Sequence, residues 1–478
     1  MKLAHNILLN TDSYKVSMFK QYPADTTGVY SYIESRGGRY DATVMFGLQA
    51  FIKEYLLDPI TQSDIDIAEE ILTAHGEPFN RSGWQYILSN HAGYLPVTIR
   101  AVPEGTVVPV KNVLATIENT DPECFWLTTY LETALLRAVW YPTTVATQSY
   151  TIKKVILDYL EKTGDPTTIN FKLHDFGARG VSSTESAAIG GASHLVNFMG
   201  SDTISGILFA REYYNAGIAG FSIPAAEHST ITSWGRDNEV DAYRNMLNQF
   251  AKPGSIVAIV SDSYDVFNAV DKLWGEELRQ QIIDSGATVV IRPDSGDPLI
   301  ICRQLVQKLA QKFGTTTNEK GFRVLNNVRL IQGDGVNEHT IRMILGDFMV
   351  HGFSADNIAF GMGGALLQQL DRDTQKFAMK CSAMSRTVRY EDGDLGSEFR
   401  TEWFDVQKDP ITDPGKKSKA GRVTLWKSGG EWVSAVDQPT GWTDKGIGPF
   451  TEVLEEVYRD GKLVKEITFE QVRANSNK

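Results

Sequence analysis

A single pattern repeats through the middle of the chain and constrains its fold more than any other feature of the sequence. A short β-branched apolar run ends in a cluster of Asp, Gly and Ser residues, and a segment with helical spacing of its apolar residues follows. Such runs occupy residues 169–173, 255–260, 287–291, 328–331 and 357–360. Strands that alternate with helices in this way predict parallel pairing. We therefore expect an α/β fold whose sheet is either a barrel or doubly wound.

The segments between these runs have the apolar spacing of amphipathic helices. Apolar residues recur every four positions from Ile301 to Phe313, behind a predicted N-cap at Asp297 with Pro298 in the first helical position. A second helix is predicted between Asp265 and Ser285, with apolar residues from Val266 to Ile282, and Ser285 and Gly286 offer its stop. In both sheet architectures ligands bind at the carboxyl ends of the strands, where the polar clusters lie.

The two ends of the chain lack this alternation of strands and helices and contain more aromatic residues. Residues 95–102 and 421–426 alternate apolar and polar side chains, which predicts antiparallel strands. We therefore expect a flanking α+β domain built from residues 1–150 and 386–478, around a barrel-like catalytic domain at 151–385.

Composition narrows the class of protein. The chain has 47 basic and 59 acidic residues, and its net charge of −12 argues against nucleic-acid or anionic-membrane partners. Three widely separated cysteines, Cys124, Cys302 and Cys381, exclude a disulfide framework and a cysteine zinc site. The first residues lack the long apolar region of a secretory signal, and no stretch approaches the ~20 apolar residues of a membrane span. We expect a cytoplasmic protein.

Three acidic residues follow successive predicted strands. Asp265, Asp294 and Asp334 would share one rim of the sheet, and their carboxylate oxygens suit Mg²⁺ carried by a polyphosphate. A single Asp after a strand is more often a helix cap, but three in successive units favour a site. Nucleotide-binding P-loops, dinucleotide fingerprints, zinc-protease motifs and nucleophile elbows are absent from the sequence.

Glycines and basic residues near residue 361 suggest a phosphate site. The run Gly361–Gly364 could present free backbone N–H groups to a phosphate, although such glycines more often permit a tight turn. Basic side chains follow as possible phosphate partners, or as a solvated surface: Arg372, Lys380, Lys408 and Lys416.

Glu227 and His228 place a carboxylate beside an imidazole in a turn of small residues. A lone His is usually structural. The alternative is a nucleophilic or acid–base histidine, and the residues alone leave both interpretations open.

Several blocks of sequence, in order, carry a resemblance to a known family. They lie at residues 6–15, 101–105, 118–124, 172–177, 224–230, 291–296 and 331–335. Together they resemble the nicotinamide phosphoribosyltransferase family over nearly the whole chain. Departures from the family pattern occur at Ala178, at Met362 and in a longer segment between Lys380 and Lys408. The resemblance implies a type II phosphoribosyltransferase fold, with a barrel-like parallel domain and a flanking domain, in a homodimer with active sites at the subunit interface.

The resemblance also implies roles around the base and the ribose. Phe176 would stack on one face of nicotinamide, and Tyr14 of the other subunit on the opposite face. Asp202 would accept the carboxamide N–H₂ and repel the carboxylate of nicotinate. The remaining positions implied to contact the base, the ribose or its phosphate are Arg179, Ser222, Arg292, Asp294, Gly333, Asp334, Gly363 and Gly364.

Further roles concern ATP and metal. His228 aligns with the histidine that such enzymes phosphorylate with ATP, and Glu227 would position or polarise it. Asp265 and Asp294 are the expected Mg²⁺ ligands. Positions implied to bind pyrophosphate or ATP phosphates are Arg372, Lys380, Lys408 and Lys416, joined by Arg36 of the neighbouring subunit.

The implied activity is transfer of phosphoribosyl from phosphoribosyl pyrophosphate to nicotinamide, with Mg²⁺ as cofactor and ATP as activating co-substrate. Because the pyridine nitrogen carries no proton, catalysis should rest on positioning and electrostatics. One alternative is a nicotinate phosphoribosyltransferase, which Asp202 disfavours. Another is a catalytically silent sensor of NAD metabolites, which Arg292, Asp294, Asp334 and His228 disfavour.

Overall fold

The computed structural model describes residues 6–391, 397–413, 416–439 and 449–478. Contacts divide the chain into two compact units. One comprises the chain up to Thr147 with Glu212–Asn215 and Asp371–Lys478, and the other comprises Gln148–Arg211 and Ala216–Leu370. The expected boundary at residue 385 differs from this division, because it falls inside the strand Phe377–Glu391, which pairs with the antiparallel sheet of the first unit.

A parallel sheet of six strands forms the centre of the second unit. The strands are β1 (Leu173–Asp175), β2 (Gly200–Ser201), β3 (Ile256–Val260), β4 (Thr288–Arg292), β5 (Val328–Gln332) and β6 (Ile358–Met362). Their order is β2-β1-β6-β5-β4-β3, and every neighbouring pair is parallel. All six strands therefore place their carboxyl ends at one rim.

The extended segment Phe221–Ala225 bridges both edges of this sheet. Phe221 pairs in parallel with Gly200 of β2, and Ala225 pairs in parallel with Ala258 of β3. Backbone N–H groups of Ser201 and Ala226 donate hydrogen bonds of 3.0 Å to the carbonyls of Phe221 and Ala258, respectively. The segment thus closes the sheet into a barrel, and the expected barrel-like α/β domain is confirmed.

Helices connect the strands of the second unit. The helix Pro298–Phe313 is as predicted, and the Asp297 carboxylate caps it by accepting hydrogen bonds from two backbone N–H groups. Its buried residues include Leu305, Leu309 and Phe313. Further α-helices that lie wholly or partly in this unit are Glu132–Thr163, Thr184–Leu195, Ile204–Tyr214, His228–Thr232, Glu239–Phe250, Val266–Asn268, Arg279–Ser285, Glu338–Val350 and Gly364–Leu367.

Two predicted elements differ from those observed. The single helix predicted between Asp265 and Ser285 is divided into Val266–Asn268, a π-helix at Ala269–Glu277 and Arg279–Ser285, and it ends before Gly286 as expected. The strand predicted at 169–173 begins only at Leu173. Residues Pro166–Phe171 instead form a 3₁₀ helix, because the Asp165 side chain caps a turn that starts with Pro166.

The first unit is built on an antiparallel sheet. Its seven strands, in spatial order, are Ser397–Asp405, Phe377–Glu391, Thr26–Ser35, Val113–Asn119, Val97–Ala101, Glu455–Arg459 and Lys462–Leu463. The strand predicted at 95–102 is therefore confirmed. The segment at 421–426 enters a strand at Thr424–Ser428, which pairs with Glu431–Ala435 and Thr451–Glu452 in a separate sheet.

Smaller elements complete the two units. Two-stranded sheets pair Ala42–Val44 with Val107–Pro109, and Thr315–Thr317 with Arg323–Leu325. The first unit also has the α-helices Leu48–Tyr55, Gln62–His75, Arg81–Asn90, Leu127–Tyr130 and Phe469–Ser476. Across the described ranges, we find no helix with both the length and the apolar character that a bilayer crossing requires.

Candidate active site

The end of β1 fixes one aromatic ring at the rim of the barrel. The buried carboxylate of Asp175 accepts a hydrogen bond of 2.7 Å from the Gly177 N–H, which holds the turn at Phe176. The Phe176 N–H donates to the Met362 carbonyl of β6 at 3.0 Å. Burial raises the pKa of Asp175. The backbone on both sides of Phe176 is therefore fastened to the sheet.

Glycines of the neighbouring strands make room for the Phe176 ring. A Cβ atom at Gly361 would lie 1.9 Å from the ring, and one at Gly333 would lie 3.4 Å from it. The Arg292 guanidinium carbon lies 5.8 Å from the ring centroid. Phe176 is half-buried in this position. The arrangement leaves part of a flat aromatic surface accessible beside a cation.

A polar cluster lies beside this ring. One carboxylate oxygen of Asp202, Oδ1, accepts hydrogen bonds from His174 Nε2 at 2.8 Å and from Ser222 Oγ at 2.6 Å. Burial raises the pKa of Asp202, but these hydrogen bonds outweigh burial and hold that pKa below its ordinary value. The cluster therefore presents a carboxylate that is ionised at neutral pH.

His174 is a site residue that the motifs in the sequence did not identify. It lies in β1 two positions before Phe176, and residues two apart in a strand point to the same face. Its ring centroid is 5.1 Å from that of Phe176. The predicted strand ends at residue 173, whereas β1 continues to Asp175. With the strand extended in this way, the alternation of its side chains would place His174 on the same face as Phe176.

A second group of charges lies at the ends of β3 and β4. Arg292 pairs with Asp294 at 3.0 Å. The Asp294 N–H and the Ser295 hydroxyl both donate to Asp262 Oδ2, at 2.8 and 2.6 Å. The Asp262 side chain is only 4% exposed, and its other oxygen, Oδ1, has no hydrogen-bond partner in the described part of the chain. A buried carboxylate oxygen without a donor is suited to a cation.

The His228 imidazole faces these carboxylates. Its Nε2 atom lies 3.5 Å from Asp294 Oδ2 and 3.8 Å from Asp262 Oδ1, and its Nδ1 atom lies 3.3 Å from Ser263 Oγ. Glu227 was expected to position His228, but its carboxylate accepts a hydrogen bond from Ser229 instead. Glu227 is the residue before the short helix His228–Thr232, and Ser229 lies in the first turn of that helix.

Asp265 has a different place from the one expected of a metal ligand. Its Oδ1 accepts hydrogen bonds from the Phe267 and Asn268 N–H groups, so it caps the helix Val266–Asn268. The capping alternative for a lone Asp after a strand therefore describes this residue. Asp262, three residues earlier and directly after β3, is the acidic group that the barrel brings beside Asp294.

The remaining expected residues of the second unit lie at or near the same rim. Gly333 and Asp334 directly follow β5, and the Asp334 side chain is exposed. Gly363 and Gly364 directly follow β6, where a helix of only four residues begins. Arg179 is exposed in the 3₁₀ helix Ala178–Gly180, close after Phe176.

Expected phosphate-binding residues of the first unit include one basic cluster. Burial lowers the pKa of Lys380, the Glu132 carboxylate raises it, and the positive charges of Arg36, Lys15 and Lys408 lower it further. Lys380 thus lies near three other basic groups, whose charge Glu132 partly offsets, and such a cluster could supply the local positive charge that an anion requires in an acidic protein.

The other expected residues of this unit are more exposed. Lys416 pairs with Asp413 at 3.2 Å, and Arg372 pairs with Asp373 at 3.2 Å. Tyr14 is 55% exposed, with the Lys15 ammonium 5.1 Å from its ring centroid.

Comparisons with known proteins identify the family. A family model described as the nicotinate phosphoribosyltransferase family matches residues 171–462, and one described as the N-terminal domain of nicotinamide phosphoribosyltransferase matches residues 6–99. The chain is 55% identical, over all of its length and 99% of the relative, to a Xanthomonas campestris protein named nicotinamide phosphoribosyltransferase. The chain belongs to the nicotinamide phosphoribosyltransferase family. The expected family and enzyme class are thereby confirmed.

Other similarities agree with this family. An Acinetobacter baylyi protein named nicotinamide phosphoribosyltransferase is 32% identical over 99% of this chain and 97% of the relative. Two solved structures resemble the fold at low identity. One is nicotinate-nucleotide pyrophosphorylase from Pyrococcus furiosus, with a TM-score of 0.62 and 16% identity over 100% of this chain and 97% of that chain. The other is human nicotinic acid phosphoribosyltransferase, with a TM-score of 0.53 and 15% identity over 98% of this chain and 92% of that chain. These likenesses support the type II phosphoribosyltransferase fold alone.

The packing of Phe176 against glycine gives a prediction about stability. We expect Gly361→Ala to lower the free energy of unfolding by about 1–3 kcal/mol, because its Cβ would overlap the Phe176 ring. Gly364→Ala is the matched control: no atom lies within 4 Å of a Cβ there, so we expect a change of less than about 1 kcal/mol. Urea denaturation of both variants measures the difference. Equal losses would show that the ring does not occupy this position.

Proposed function

We propose that the protein transfers the 5-phosphoribosyl group of phosphoribosyl pyrophosphate to nicotinamide, which gives nicotinamide mononucleotide and pyrophosphate. The observation that carries the proposal is the Asp202 carboxylate hydrogen-bonded to His174, whose ring centroid lies 5.1 Å from that of Phe176, in a chain 55% identical to a relative named for this activity. In the cell this reaction would salvage nicotinamide for NAD, and we expect it to take place in the cytoplasm.

The base would be recognised by shape and by charge. The flat Phe176 ring suits a pyridine ring, with which it can stack. An ionised carboxylate accepts hydrogen bonds but cannot donate them, so Asp202 suits the N–H₂ of a carboxamide. The same charge would repel the carboxylate of nicotinate. Asp202 is therefore our reason for proposing the amide as substrate.

The chemistry requires positioning more than proton transfer. Positive charge develops on the ribose as pyrophosphate leaves, and the pyridine nitrogen attacks without losing a proton. Arg292 would bind phosphate oxygens while Asp294, paired with it at 3.0 Å, faces the sugar. Gly333 and Asp334 after β5 would contact the ribose, and the exposed Arg179 with Gly363 and Gly364 would contact its phosphate.

The acidic pair Asp262 and Asp294 fits a magnesium ion. Asp262 Oδ1 is buried without a hydrogen-bond partner among the described residues, and hard carboxylate oxygens are the ligands that Mg²⁺ prefers. Asp262 is a better ligand than Asp265, whose carboxylate already accepts two backbone hydrogen bonds. When bound, Mg²⁺ would neutralise the charge of the leaving pyrophosphate.

ATP would act through His228. Its imidazole nitrogen would attack the γ-phosphorus of ATP, which releases ADP and leaves a phosphohistidine that water later hydrolyses to phosphate. The position of His228 between Asp294, Asp262 and Ser263 supports this role, since carboxylates beside the ring stabilise the positive charge that forms on it. Glu227 would affect His228 only indirectly, through the hydrogen bond that it accepts from Ser229 in the short helix that begins at His228.

We further propose a homodimer whose active sites each combine two subunits. Tyr14 is 55% exposed, which suits an aromatic residue that covers a base bound to another chain. The basic cluster of Arg36, Lys380 and Lys408 would bind pyrophosphate or ATP phosphates, together with Arg372 and Lys416.

Steady-state assays with both bases test the activity. We expect the purified protein, phosphoribosyl pyrophosphate and Mg²⁺ to convert nicotinamide with a higher kcat/KM than nicotinate. A higher kcat/KM for nicotinate would support a nicotinate phosphoribosyltransferase instead. No mononucleotide from either base, with binding of NAD metabolites retained, would support a catalytically silent sensor.

Two acidic residues three positions apart test the metal site. We expect Asp262→Asn to lower kcat/KM for phosphoribosyl pyrophosphate at least about tenfold and to raise the Mg²⁺ concentration needed for half-maximal rate, since it removes a charged ligand. Asp265→Asn is the control and should change neither, because Asn caps helices as well as Asp does. Equal effects of the two substitutions would contradict the assignment.

The role of His228 predicts a separation of two activities. We expect His228→Ala to abolish the stimulation of mononucleotide synthesis by ATP while some synthesis without ATP remains. The exposed His351, which follows the helix Glu338–Val350, offers a control: His351→Ala should keep the full stimulation. Stimulation of His228→Ala equal to that of the wild type would refute the phosphohistidine.

Mixing inactive variants tests whether the active site is shared. Tyr14→Ala and Asp294→Ala subunits, refolded together, should regain about a quarter of wild-type activity, since random pairing makes half of the dimers mixed, each with one intact site. Phe176→Ala mixed with Asp294→Ala should regain nothing, because both groups belong to one subunit's site. No recovery in the first mixture would show that Tyr14 acts within its own chain.

A further inference from the structure

The hydrogen bonds to Asp202 are distributed unequally between its two oxygens. Oδ1 accepts both the His174 Nε2 bond at 2.8 Å and the Ser222 Oγ bond at 2.6 Å. No group in the described ranges donates a hydrogen bond to Oδ2. A carboxylate held by two donors on one oxygen cannot rotate freely, so it presents the other oxygen in a fixed direction. Asp202 is thus a preset acceptor with one oxygen available.

The His174 ring is itself held in place. Only 14% of its side chain is exposed, and the Phe176 ring packs against it with centroids 5.1 Å apart. On its other side lies Gly200, where a Cβ atom would be 2.7 Å from His174 Nδ1. No residue with a side chain could occupy position 200 without moving the imidazole. The geometry of β1 and β2 therefore sets the direction of the Nε2–H bond.

Charge determines which atom carries the proton. The ionised Asp202 carboxylate has no proton to donate, so His174 Nε2 must carry the hydrogen of this bond. Besides Asp202, the charged groups that influence this pair are Asp175 on β1 and Arg292 on β4. Ser222, on the segment that closes the barrel, adds the second donor. The two donors thus come from two separate elements, and both hold the same oxygen, Oδ1.

We propose that His174 is a positioning residue for base selection, and that it sets the preference for a carboxamide over a carboxylate by donating its Nε2–H to Asp202 Oδ1. This inference rests on the proposed function. His174 acts through Asp202 and leaves Oδ2 as the acceptor for the N–H₂ group of the base. Loss of the donor frees the carboxylate to rotate and makes its ionised form less favourable.

The two bases should respond in opposite directions to this loss. Nicotinamide loses a preset acceptor, so its kcat/KM falls. Nicotinate meets a carboxylate that repels it less, so its kcat/KM stays constant or rises. A residue that only supported the fold would lower both values together and leave their ratio unchanged. The ratio of the two kcat/KM values therefore reports the positioning role specifically.

Side chains of different length at position 174 test the hydrogen bond itself. The amide nitrogen of Gln can occupy the place of the imidazole Nε2 as an N–H donor, whereas that of Asn is one methylene short. We expect His174→Asn and His174→Leu to lower the nicotinamide-to-nicotinate ratio about 10- to 100-fold, the range for a hydrogen bond to a charged group. His174→Gln should retain the ratio within about threefold. His351→Gln, at an exposed histidine, is the control and should leave it unchanged.

Each outcome decides the inference. A ratio in His174→Asn or His174→Leu close to that of the wild type overturns it, as does an equal fall in His174→Gln and His174→Asn. Thermal unfolding identifies a variant that fails to fold. If either His174→Asn or His174→Leu fails to fold, the other of these two variants is compared with His174→Gln. A wild-type protein that makes neither mononucleotide refutes the proposed function alone. Calorimetric affinities of nicotinamide and nicotinate for wild type and His174→Asn then test the inference without catalysis. A wild type that prefers nicotinate overturns both.

Discussion

Closure of the parallel sheet by the segment Phe221–Ala225 is the constraint on which the site depends. One end of this segment pairs with β2 and places Ser222 on the Asp202 carboxylate. The other end pairs with β3 and leads directly into the short helix that begins at His228. The same few residues thus set the geometry of the polar cluster around Asp202 and of the acidic cluster formed by Asp262 and Asp294 beside His228. The backbone hydrogen bonds between this segment and both edges of the sheet restrict the movement of both clusters.

The acidic cluster retains a polar group that the fold does not satisfy. The Asp262 side chain is 4% exposed, and among the described residues only one of its oxygens receives donors, from the Asp294 N–H and the Ser295 hydroxyl. Burying a carboxylate oxygen without a partner costs free energy, and sequences retain such groups mainly where a ligand compensates. Asp202 and Asp262 are therefore opposite cases. The Asp202 side chain is 49% exposed and one of its oxygens accepts two hydrogen bonds, whereas the oxygen of Asp262 that lacks a donor among the described residues is buried.

Periodicity in the sequence predicts the elements that bury a continuous apolar face. The helix Pro298–Phe313 and the strands β3 to β6 belong to this class, because their spacing reports burial directly. The closing segment does not, since a short stretch with a proline near its end has neither the length nor the alternation of a strand. The run that contains Asp262 and Asp265 offers two acidic residues, and only the fold shows which of them caps a helix. The role of His174 could not be predicted from the sequence, because its partner Asp202 lies 28 residues later, after a different strand.

Two donors on Asp202 are understandable if charge, and not shape alone, selects the base. Nicotinamide and nicotinate differ by one polar group of similar size, so a pocket of fixed shape separates them poorly. Two like charges about 4 Å apart repel by about 4 kcal/mol at an effective dielectric constant of about 20. A single hydrogen bond to a charged group contributes about 1.5–3 kcal/mol. Charge repulsion would thus separate the two bases more strongly than one hydrogen bond does. The repulsion exists only while Asp202 is ionised. Burial alone would raise the pKa of this partly buried carboxylate. His174 and Ser222 counteract burial at that carboxylate, so the discrimination that we propose for this site would depend on them as much as on Asp202.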